Sequence, residues 1–152
     1  MVMHTILTSP CGPLRIETSA EAITRIIFLD EPVPETVPGS PLLTLACDQL
    51  NAYFVGELTR FSLPLAPAGT PFQQRVWQAL LAIPWGEKRS YSDIAAAIGN
   101  PRAVRAVGAA NGRNPIPIII PCHRVIGANG SLTGYAGGLT RKRWLLDHET
   151  KV

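Results

Sequence analysis

The sequence has little that would place the protein in a membrane or outside the cell. No apolar stretch reaches the ~20 residues that a helix needs to cross a bilayer. The opening Met-Val-Met-His-Thr-Ile-Leu has no basic segment leading into an apolar one, so we do not expect it to act as a signal peptide. Internal repeats and low-complexity tracts are also absent. With a hydrophobic content of 46%, an ordinary value for a globular chain, the sequence predicts a folded cytoplasmic protein without a membrane partner.

Cysteine is scarce as well. The three cysteines, Cys11, Cys47 and Cys122, show no paired spacing, and an odd count without a secretion signal indicates reduced thiols rather than a disulfide framework. Together with His4, the first two are too few for a metal site and follow no ligand spacing. We therefore expect no metal and no cofactor.

Charge is distributed unevenly along the chain. The total is +3, but residues 1–71 carry three basic and seven acidic side chains, giving −4, whereas residues 72–152 carry eleven basic and four acidic ones, giving +7. A basic half beside an acidic half indicates that the second half meets a polyanion such as DNA. A merely solvated surface is the alternative that charge alone leaves open.

The first half of the chain has the pattern of a small sheet followed by a helix. Three β-rich runs are predicted over 5–9, 14–18 and 23–29. A proline-rich loop then leads to apolar residues at helical spacing over 42–55. The Pro/Ala/Gly stretch at 63–69 is the expected linker. An N-terminal α/β domain over 1–69 and a second domain over 70–152 follow, in an α+β fold.

The second half is predicted to be mostly helical. Thr70-Pro71-Phe72-Gln73 has the pattern of a capping box with proline at the first helical position, and Pro84 ends that helix. Thr140 is the predicted cap of a final helix that runs through His148.

Two short helices are predicted between these. Ser90 can cap the first, over 91–98, and Gly99 ends it. The second is predicted over 102–111. Two short helices joined by a glycine-containing turn indicate a helix-turn-helix.

Cys122 stands in a context that favours chemistry. It follows the apolar run Ile118-Ile119-Ile120, predicted to be a buried strand closed by Pro121, and it precedes His123 and Arg124. A thiol reacts as the thiolate, and neighbouring positive charge lowers its pKa from about 8.5. From the residues alone, a buried structural cysteine at a strand end is the alternative, since free cysteine is among the most buried residue types.

The segment 114–125, which carries Pro-Cys-His-Arg-Val after an Asn-Pro turn, resembles the active-site segment of the O6-alkylguanine-DNA alkyltransferases. The resemblance is dense over 70–149 and looser over 1–62. It implies a ribonuclease H-like first domain and an alkyltransferase, DNA-binding second domain. Further matching segments are Ser90-Tyr91, Gly99-Asn100-Pro101, Arg105-Ala106-Val107-Gly108 and Gly134-Tyr135-Ala136-Gly137-Gly138-Leu139.

The resemblance implies catalytic roles for five residues. Cys122 is the nucleophile, His123 takes its proton through a bound water, and Glu149 orients that histidine. Tyr91 protonates guanine N3 as the bond breaks, and Asn114 fixes the turn before the active-site segment. Without the resemblance, an exposed position for Glu149 and core packing for Tyr91 would be expected.

The resemblance also implies a DNA-binding helix that enters the minor groove. The small side chains of Ala103 and Ala106 permit close approach, although packing against a neighbouring helix would explain them equally. Arg105 matches the arginine that fills the gap left by an extruded nucleotide. Arg102 and Arg113 are then expected at phosphates.

The remaining implied contacts are to the extruded base. The backbone carbonyls of Cys122 and Val125 accept from the exocyclic amine of guanine, and Tyr135, Ala136 and Gly137 form the opposite lip of the site. Ala136 departs from the serine that some relatives have, so only its backbone N–H could reach O6. This departure leaves substrate preference open, not the reaction.

Together these features predict a direct-reversal DNA repair enzyme. It would extrude O6-alkylguanine, and also O4-alkylthymine, from duplex DNA and transfer the alkyl group irreversibly to Cys122, acting once and as a monomer. The S-alkyl cysteine is a thioether with no carbonyl for water to attack. The alternatives are a cysteine hydrolase, which leaves the alanine-rich helix unexplained, and a non-catalytic helix-turn-helix damage sensor or regulator, against which Cys122 argues.

Overall fold

The computed structural model describes residues 2–135 and 137–150. It confirms the mixed α+β fold, with a small sheet in the first part and mostly helices in the second. The chain divides into two compact units, Met1–Ala68 and Gly69–Val152. Within the described residues, none of the helices has the length and apolar character required to span a bilayer.

The first unit contains the three predicted strands. They are β1 (Met3–Ser9), β2 (Gly12–Thr18) and β3 (Ile23–Phe28), paired antiparallel in chain order. A tight turn joins β1 to β2, where Ser9 pairs with Gly12, and Gly12 takes a positive φ of 93° that L side chains rarely adopt. Alternate residues of β2 face the core, as expected for a sheet with one buried side.

Helix α1 (Pro41–Phe54) covers that sheet and matches the helical spacing seen in the sequence. The Ser40 side chain accepts from the Leu43 N–H and so caps the helix. The segment expected to be a linker is hydrogen-bonded to β3 over part of its length. The Ile23 N–H donates to the Pro64 carbonyl at 2.9 Å, and the Ala66 N–H donates to the Ile23 carbonyl at 2.8 Å.

The second unit begins with α2 (Pro71–Leu81), where the predicted capping box is confirmed. The Thr70 side chain accepts from the Gln73 N–H, and the Gln73 side chain accepts from the Thr70 N–H at 2.9 Å. Trp77 on this helix is buried, and its indole N–H donates to the Ala110 carbonyl at 2.9 Å. This bond fixes α2 against the helix that contains Ala110.

That helix is α4 (Val104–Gly112), which packs against α3 (Tyr91–Ala97). Ser90 caps α3 as predicted, in a capping box with Asp93. The prediction that the second helix begins at 102 was wrong: Arg102 lies in the preceding turn, which the Ala103 N–H closes on the Asn100 carbonyl at 3.0 Å. Proline is tolerated in the first turn of a helix, so Asn100-Pro101 alone does not fix the first helical residue; here residues 101–102 form a separate turn and α4 begins at Val104.

The predicted strand over Ile118–Ile120 was also wrong. These residues are buried but form turns, and Ile118 has a φ of 74°. A short apolar run does not distinguish a strand from another buried segment, and the neighbouring prolines have no N–H for a sheet ladder. A 3₁₀ turn at Cys122–Arg124 follows, and then β5 (Val125–Ile126), which pairs in parallel with β4 (Arg89–Ser90).

The last helix, α5, spans Leu139–Thr150. Thr140 lies inside it, so the prediction of Thr140 as its cap was wrong. The four positions Lys142, Leu145, Leu146 and Glu149 recur at helical spacing, and all four are buried. The site described next is built on this face.

Candidate active site

Cys122 lies at the end of the buried loop, as the first residue of the 3₁₀ turn. Only 4% of it is exposed, and its N–H donates to the Ile120 carbonyl at 2.7 Å. The Asn114 carboxamide holds the same loop: its Nδ2 donates to the Ile120 carbonyl at 2.8 Å, and its Oδ1 accepts from the Ile116 N–H at 3.0 Å. The loop that presents the thiol is therefore fixed by one buried side chain.

The sequence-based expectation that the thiol is acidified by its two neighbours was wrong for the unbound protein. Burial raises the pKa of the Cys122 thiol to about 11, and this effect outweighs the hydrogen bond from Asn114 and the charge of Lys142, which both lower the pKa. Arg124 points away and binds the Ile83 carbonyl at 2.6 Å. Cys122 is consequently a thiol at neutral pH and must lose a proton in order to react.

His123, Arg124 and Glu149 form a buried network beside Cys122. His123 Nε2 lies 2.6 Å from Glu149 Oε2. Arg124 donates to the same carboxylate through Nε, 2.8 Å from Oε1, and through Nη2, 3.1 Å from Oε2. All three side chains are almost completely buried, so these are strong, poorly screened bonds. The network joins α5 to the 3₁₀ turn.

The charge states in this network follow from its hydrogen bonds. Burial alone would raise the pKa of Glu149, but the bonds from His123 and Arg124 outweigh it and lower the pKa to about 2. Burial lowers the pKa of His123, and Glu149 opposes this without overcoming it. His123 is then neutral. Because a carboxylate only accepts, we assign the imidazole proton to Nε2, which leaves Nδ1 as the basic nitrogen.

Nδ1 of His123 is thus suited to accept a proton. It is buried and has no hydrogen-bond partner among residues 2–135 and 137–150. A neutral histidine with one nitrogen held by a carboxylate and the other unengaged is the arrangement of a general base. The residue that precedes His123 in the chain is Cys122, whose thiol carries the proton to be removed.

Tyr91 stands on the other side of the site, at the start of α3. Its hydroxyl donates to the Thr133 carbonyl at 3.2 Å and lies 3.3 Å from the Thr133 hydroxyl. A Cβ on Gly134 would lie 3.4 Å from that hydroxyl, and one on Gly108 of α4 would lie 3.8 Å from the ring. Both distances are ordinary van der Waals contacts, so the space around the tyrosine does not by itself require glycine; Gly134 is favoured by its positive φ of 62°.

The predicted DNA-contacting residues lie on or beside α4. Arg105 and Ala106 are exposed, as are Arg102 before the helix and Arg113 at its end, while Ala103 is half-buried. The opposite face of α4, carrying Val107 and Ala110, is buried. The helix therefore packs by one face and presents small and basic residues on the other.

The structure describes two of the three residues that are expected to form the opposite lip of the base-binding site. Tyr135 is buried and Gly137 is half-buried, whereas Ala136 lies outside the described residues. The two carbonyls expected to accept from guanine are already engaged. Val125 accepts from Lys142 at 2.6 Å, whereas Cys122 accepts from the Val125 N–H and from the Asn111 amide at 3.4 Å. A carbonyl oxygen has two lone pairs, so the Val125 carbonyl keeps room for a second donor, and the Cys122 carbonyl would have to exchange the long bond from Asn111 for one from guanine.

The sequence did not identify Lys142 and Asn111 as residues of the site. Lys142 is fully buried, and its ammonium also binds the Thr133 carbonyl at 2.7 Å. A lysine in a helix is normally exposed to solvent. Lys142, however, shares a helical face with Leu145, Leu146 and Glu149 in the sequence, and this spacing could have indicated that it is buried. Among the residues that the structure describes, no group of His, Cys, Asp and Glu could hold a metal.

Comparison with known proteins also relates this chain to the DNA alkyltransferases. Residues 71–151 match the family model described as 6-O-methylguanine DNA methyltransferase, DNA binding domain, and residues 2–67 match the ribonuclease-like domain of the same family. The methylated-DNA–protein-cysteine methyltransferase of Mycobacterium bovis is 52% identical, covering 98% of this chain and 93% of the relative. The constitutive enzyme of Bacillus subtilis is 52% identical, covering 98% and 96%.

Solved structures agree with these relatives. The crystal structure of Mycobacterium tuberculosis O6-methylguanine methyltransferase superposes with a TM-score of 0.89 at 52% identity, over 99% of this chain and 93% of that one. The crystal structure of Mycobacterium tuberculosis OGT in complex with DNA has a TM-score of 0.87 at 54% identity, covering 95% and 91%.

Proposed function

The chain belongs to the 6-O-methylguanine DNA methyltransferase family, and from that premise we propose that Cys122 is the residue to which it transfers alkyl groups from DNA. The activity is DNA repair by alkyl transfer to a protein cysteine, and DNA is the partner. The observation that carries the assignment is the position of Cys122 beside the His123–Glu149 pair in a buried site. The alternatives of a cysteine hydrolase and a non-catalytic regulator are not favoured.

The transfer exchanges one bond for another at a single carbon. The sulfur of Cys122 attacks the alkyl carbon on O6, a C–S bond forms, and the C–O6 bond breaks with its electron pair moving to guanine. The thiol proton passes to His123 through a water, and Glu149 stabilises the imidazolium. Tyr91 donates a proton to guanine N3 and is reprotonated, so the net proton lost by the thiol is the one gained by guanine.

The substrate is an alkylated base in duplex DNA. We propose O6-alkylguanine as the substrate, because its exocyclic amine can donate to the Val125 carbonyl beside Lys142 and, in exchange for the Asn111 amide, to the Cys122 carbonyl. O4-alkylthymine, which has no exocyclic amine, is proposed to be accepted as well, since its alkyl carbon is attacked in the same way. Asn114 is proposed to hold the loop that carries the thiol. Tyr135, Ala136 and Gly137 are proposed as the opposite lip of the base pocket. No side chain that donates to O6 is proposed at Ala136.

The DNA contact is proposed to be the exposed face of α4, in the minor groove. The exposed Ala106 and half-buried Ala103 allow close approach, and exposed Arg102 and Arg113 would contact phosphates. Arg105 would fill the gap left by the extruded nucleotide. In this proposal α3 and α4 act as a helix-turn-helix, and the protein works as a monomer.

Mass spectrometry tests the proposed function directly. One equivalent of duplex containing O6-methylguanine should increase the protein mass by one methylene group, and peptide mapping should place the added group on Cys122. Excess substrate should add nothing further, since the thioether is not hydrolysed. A second methyl group, repeated turnover or an added group on another residue would contradict the proposal.

Arg105→Ala should slow repair of duplex DNA by roughly tenfold or more while leaving reaction with the free base O6-benzylguanine unchanged, because unstacking a base costs a few kcal/mol and the free base needs no extrusion. The measurement is the single-turnover rate at saturating DNA. Arg113→Ala is the matched control: it removes the same charge from an exposed position, so it should weaken binding without changing the saturated rate. Equal losses on both substrates would give Arg105 a role in folding only.

Binding to undamaged duplex should be weak, nearly independent of sequence and sensitive to salt. The minor groove offers a degenerate base pattern, and α4 presents few side chains that read bases. If Arg102, Arg105 and Arg113 each neutralise a phosphate, log affinity should fall with log salt at about 0.9 per phosphate. Titration of labelled duplexes of several sequences over a salt series measures both properties. A strong preference for one undamaged sequence would instead indicate a regulator.

A further inference from the structure

Asn111 lies beside the reactive cysteine, near the C-terminal end of α4. It is only 2% exposed, and its Nδ2 donates to the Cys122 carbonyl at 3.4 Å. The next residue, Gly112, is close to the opposite side of the site, since a Cβ there would lie 3.8 Å from the Gly134 carbonyl. The end of α4 that carries Asn111 therefore lies beside both the 3₁₀ turn and the loop that leads to Tyr135.

The Asn111 carboxamide has hydrogen-bonding groups that the protein does not use. Its bond to Cys122 is longer than the ~2.7–3.2 Å of most N–H···O bonds. Its Oδ1 is buried and has no hydrogen-bond partner within residues 2–135 and 137–150. Asn114, by contrast, makes two bonds, of 2.8 and 3.0 Å. Because buried amides are normally paired, the unused groups of Asn111 are available to a ligand.

The two proposed lesions present opposite groups at one position. When their rings and alkylated oxygens are superposed, the exocyclic amine of O6-alkylguanine coincides with the O2 carbonyl of O4-alkylthymine. The amine donates hydrogen bonds, whereas O2 only accepts them. The carbonyls of Cys122 and Val125 also only accept, so they suit guanine and disfavour thymine. A site that takes thymine therefore needs a donor at this position.

The departing thymine needs the same donor. As the C–S bond forms, the C–O4 bond breaks and its electron pair moves into the thymine ring. Tyr91 can protonate N3 of guanine, but the corresponding thymine nitrogen, N1, carries the sugar. The charge is therefore shared by O4, N3 and O2 until water returns to N3 the proton that His123 took from the thiol. A hydrogen bond to O2 stabilises this anion.

We propose that Asn111 determines how well the site accepts thymine lesions, because its Nδ2 donates to O2 of an extruded O4-alkylthymine. The inference rests on the proposed function, in which Cys122 receives the alkyl group from either base. An amide nitrogen has two N–H groups, so with thymine bound Nδ2 keeps the Cys122 carbonyl and also meets O2. With guanine bound, the amine takes the place of Nδ2 at that carbonyl, and one long bond is lost.

The test compares single-turnover rates at saturating duplex that contains either O6-methylguanine or O4-methylthymine. Asn111→Leu removes the amide but keeps a side chain of similar size. It should lower the thymine rate about tenfold relative to the guanine rate, because one hydrogen bond to a charged group is lost. Asn51→Leu makes the same substitution at an exposed position of α1 and should change neither rate. Equal rate ratios in the two variants would overturn the inference.

A change in the substrate isolates the proposed bond. O4-methyl-2-thiothymine carries sulfur, a weaker acceptor, in place of O2. This replacement should slow the wild-type protein several-fold more than it slows Asn111→Leu, because the variant has no donor for either atom. The same slowing in both proteins would contradict a bond between Asn111 and O2. Asn111→Ala also lacks the amide and serves in both measurements if Asn111→Leu does not fold.

The wild-type rates separate failure of this inference from failure of the proposed function. Transfer from O6-methylguanine without transfer from O4-methylthymine would overturn the role of Asn111 and leave Cys122 as the alkyl acceptor. If neither lesion gave up its methyl group, the proposed function itself would be contradicted.

Discussion

Replacing Cys122 with serine should reduce alkyl transfer to below detection while leaving DNA binding intact. A serine hydroxyl is far less acidic than a thiol and is a much poorer nucleophile without a strong adjacent base. The side chain lies in the buried loop and not on the exposed face of α4, so duplex affinity should stay within a factor of about two. The measurements are stoichiometric methyl transfer, followed by mass spectrometry, and titration with labelled duplex.

The chain provides two matched controls for this substitution. Cys11→Ser and Cys47→Ser make the same change at buried cysteines of the other compact unit. Burial, aided by Asp48 and Glu35, raises the pKa of the Cys47 thiol to about 11, as burial does for Cys122, but the chain neighbours of Cys47, Ala46 and Asp48, include no imidazole comparable to His123. Both controls should transfer one full equivalent. Stoichiometric transfer to the Cys122→Ser protein, mapped to either of these cysteines, would refute the assignment.

Glu149→Gln should have the second largest effect, on both stability and rate. It leaves the buried guanidinium of Arg124 without its carboxylate, and removing one partner of a buried ion pair costs about 3–5 kcal/mol. It also removes the anion that stabilises protonated His123, which should slow transfer by roughly 10²-fold or more. Urea unfolding and single-turnover kinetics measure the two effects separately.

Glu87→Gln is the appropriate control for the loss of stability. Glu87 pairs with Arg89 at 3.0 Å, but both side chains are exposed, and such pairs contribute about 0–1 kcal/mol. If the Glu149→Gln protein were as stable as the Glu87→Gln protein and transferred alkyl groups at an unchanged rate, the buried network would contribute neither to stability nor to catalysis.

The same carboxylate predicts how stability depends on acid. Its pKa is lowered to about 2 in the folded protein from an ordinary 4.5, so the unfolded chain binds the proton more readily. The stabilising contribution, about 3 kcal/mol, is fully present above pH 4.5 and is lost as the pH falls towards 2. Glu149→Gln should lack this component of acid sensitivity. Unfolding free energies of both proteins across that range would test it.

Local sequence signals predicted the regular elements well. The hydroxyl, proline and glutamine at Thr70, Pro71 and Gln73 act within one turn of helix, so their effect can be derived without knowing the fold. The strands of the first unit and the cap at Ser90 were predicted on the same local grounds. The family resemblance then supplied the site residues that have no local signal.

The errors concern features that depend on tertiary structure. Ile118–Ile120 are buried as expected, but the prolines around them and the Asn114 carboxamide impose turns instead of a strand. Adjacency in sequence suggested that Arg124 would acidify the thiol, yet its side chain turns to Glu149 and Ile83. Lys142 was missed because a buried ammonium is recognisable only when its acceptors, two distant carbonyls, are known.

The carboxylate–imidazole pair also bears on the biosynthesis of the protein. Glu149 follows its partner His123 by 26 residues, and at about 5–20 residues per second a ribosome adds it on the order of seconds after the cysteine. During that interval α5 is incomplete, so the carboxylate that holds His123 Nε2 in the folded protein is not yet present. The arrangement that leaves Nδ1 of His123 as the basic nitrogen therefore forms only after α5 has packed against the 3₁₀ turn.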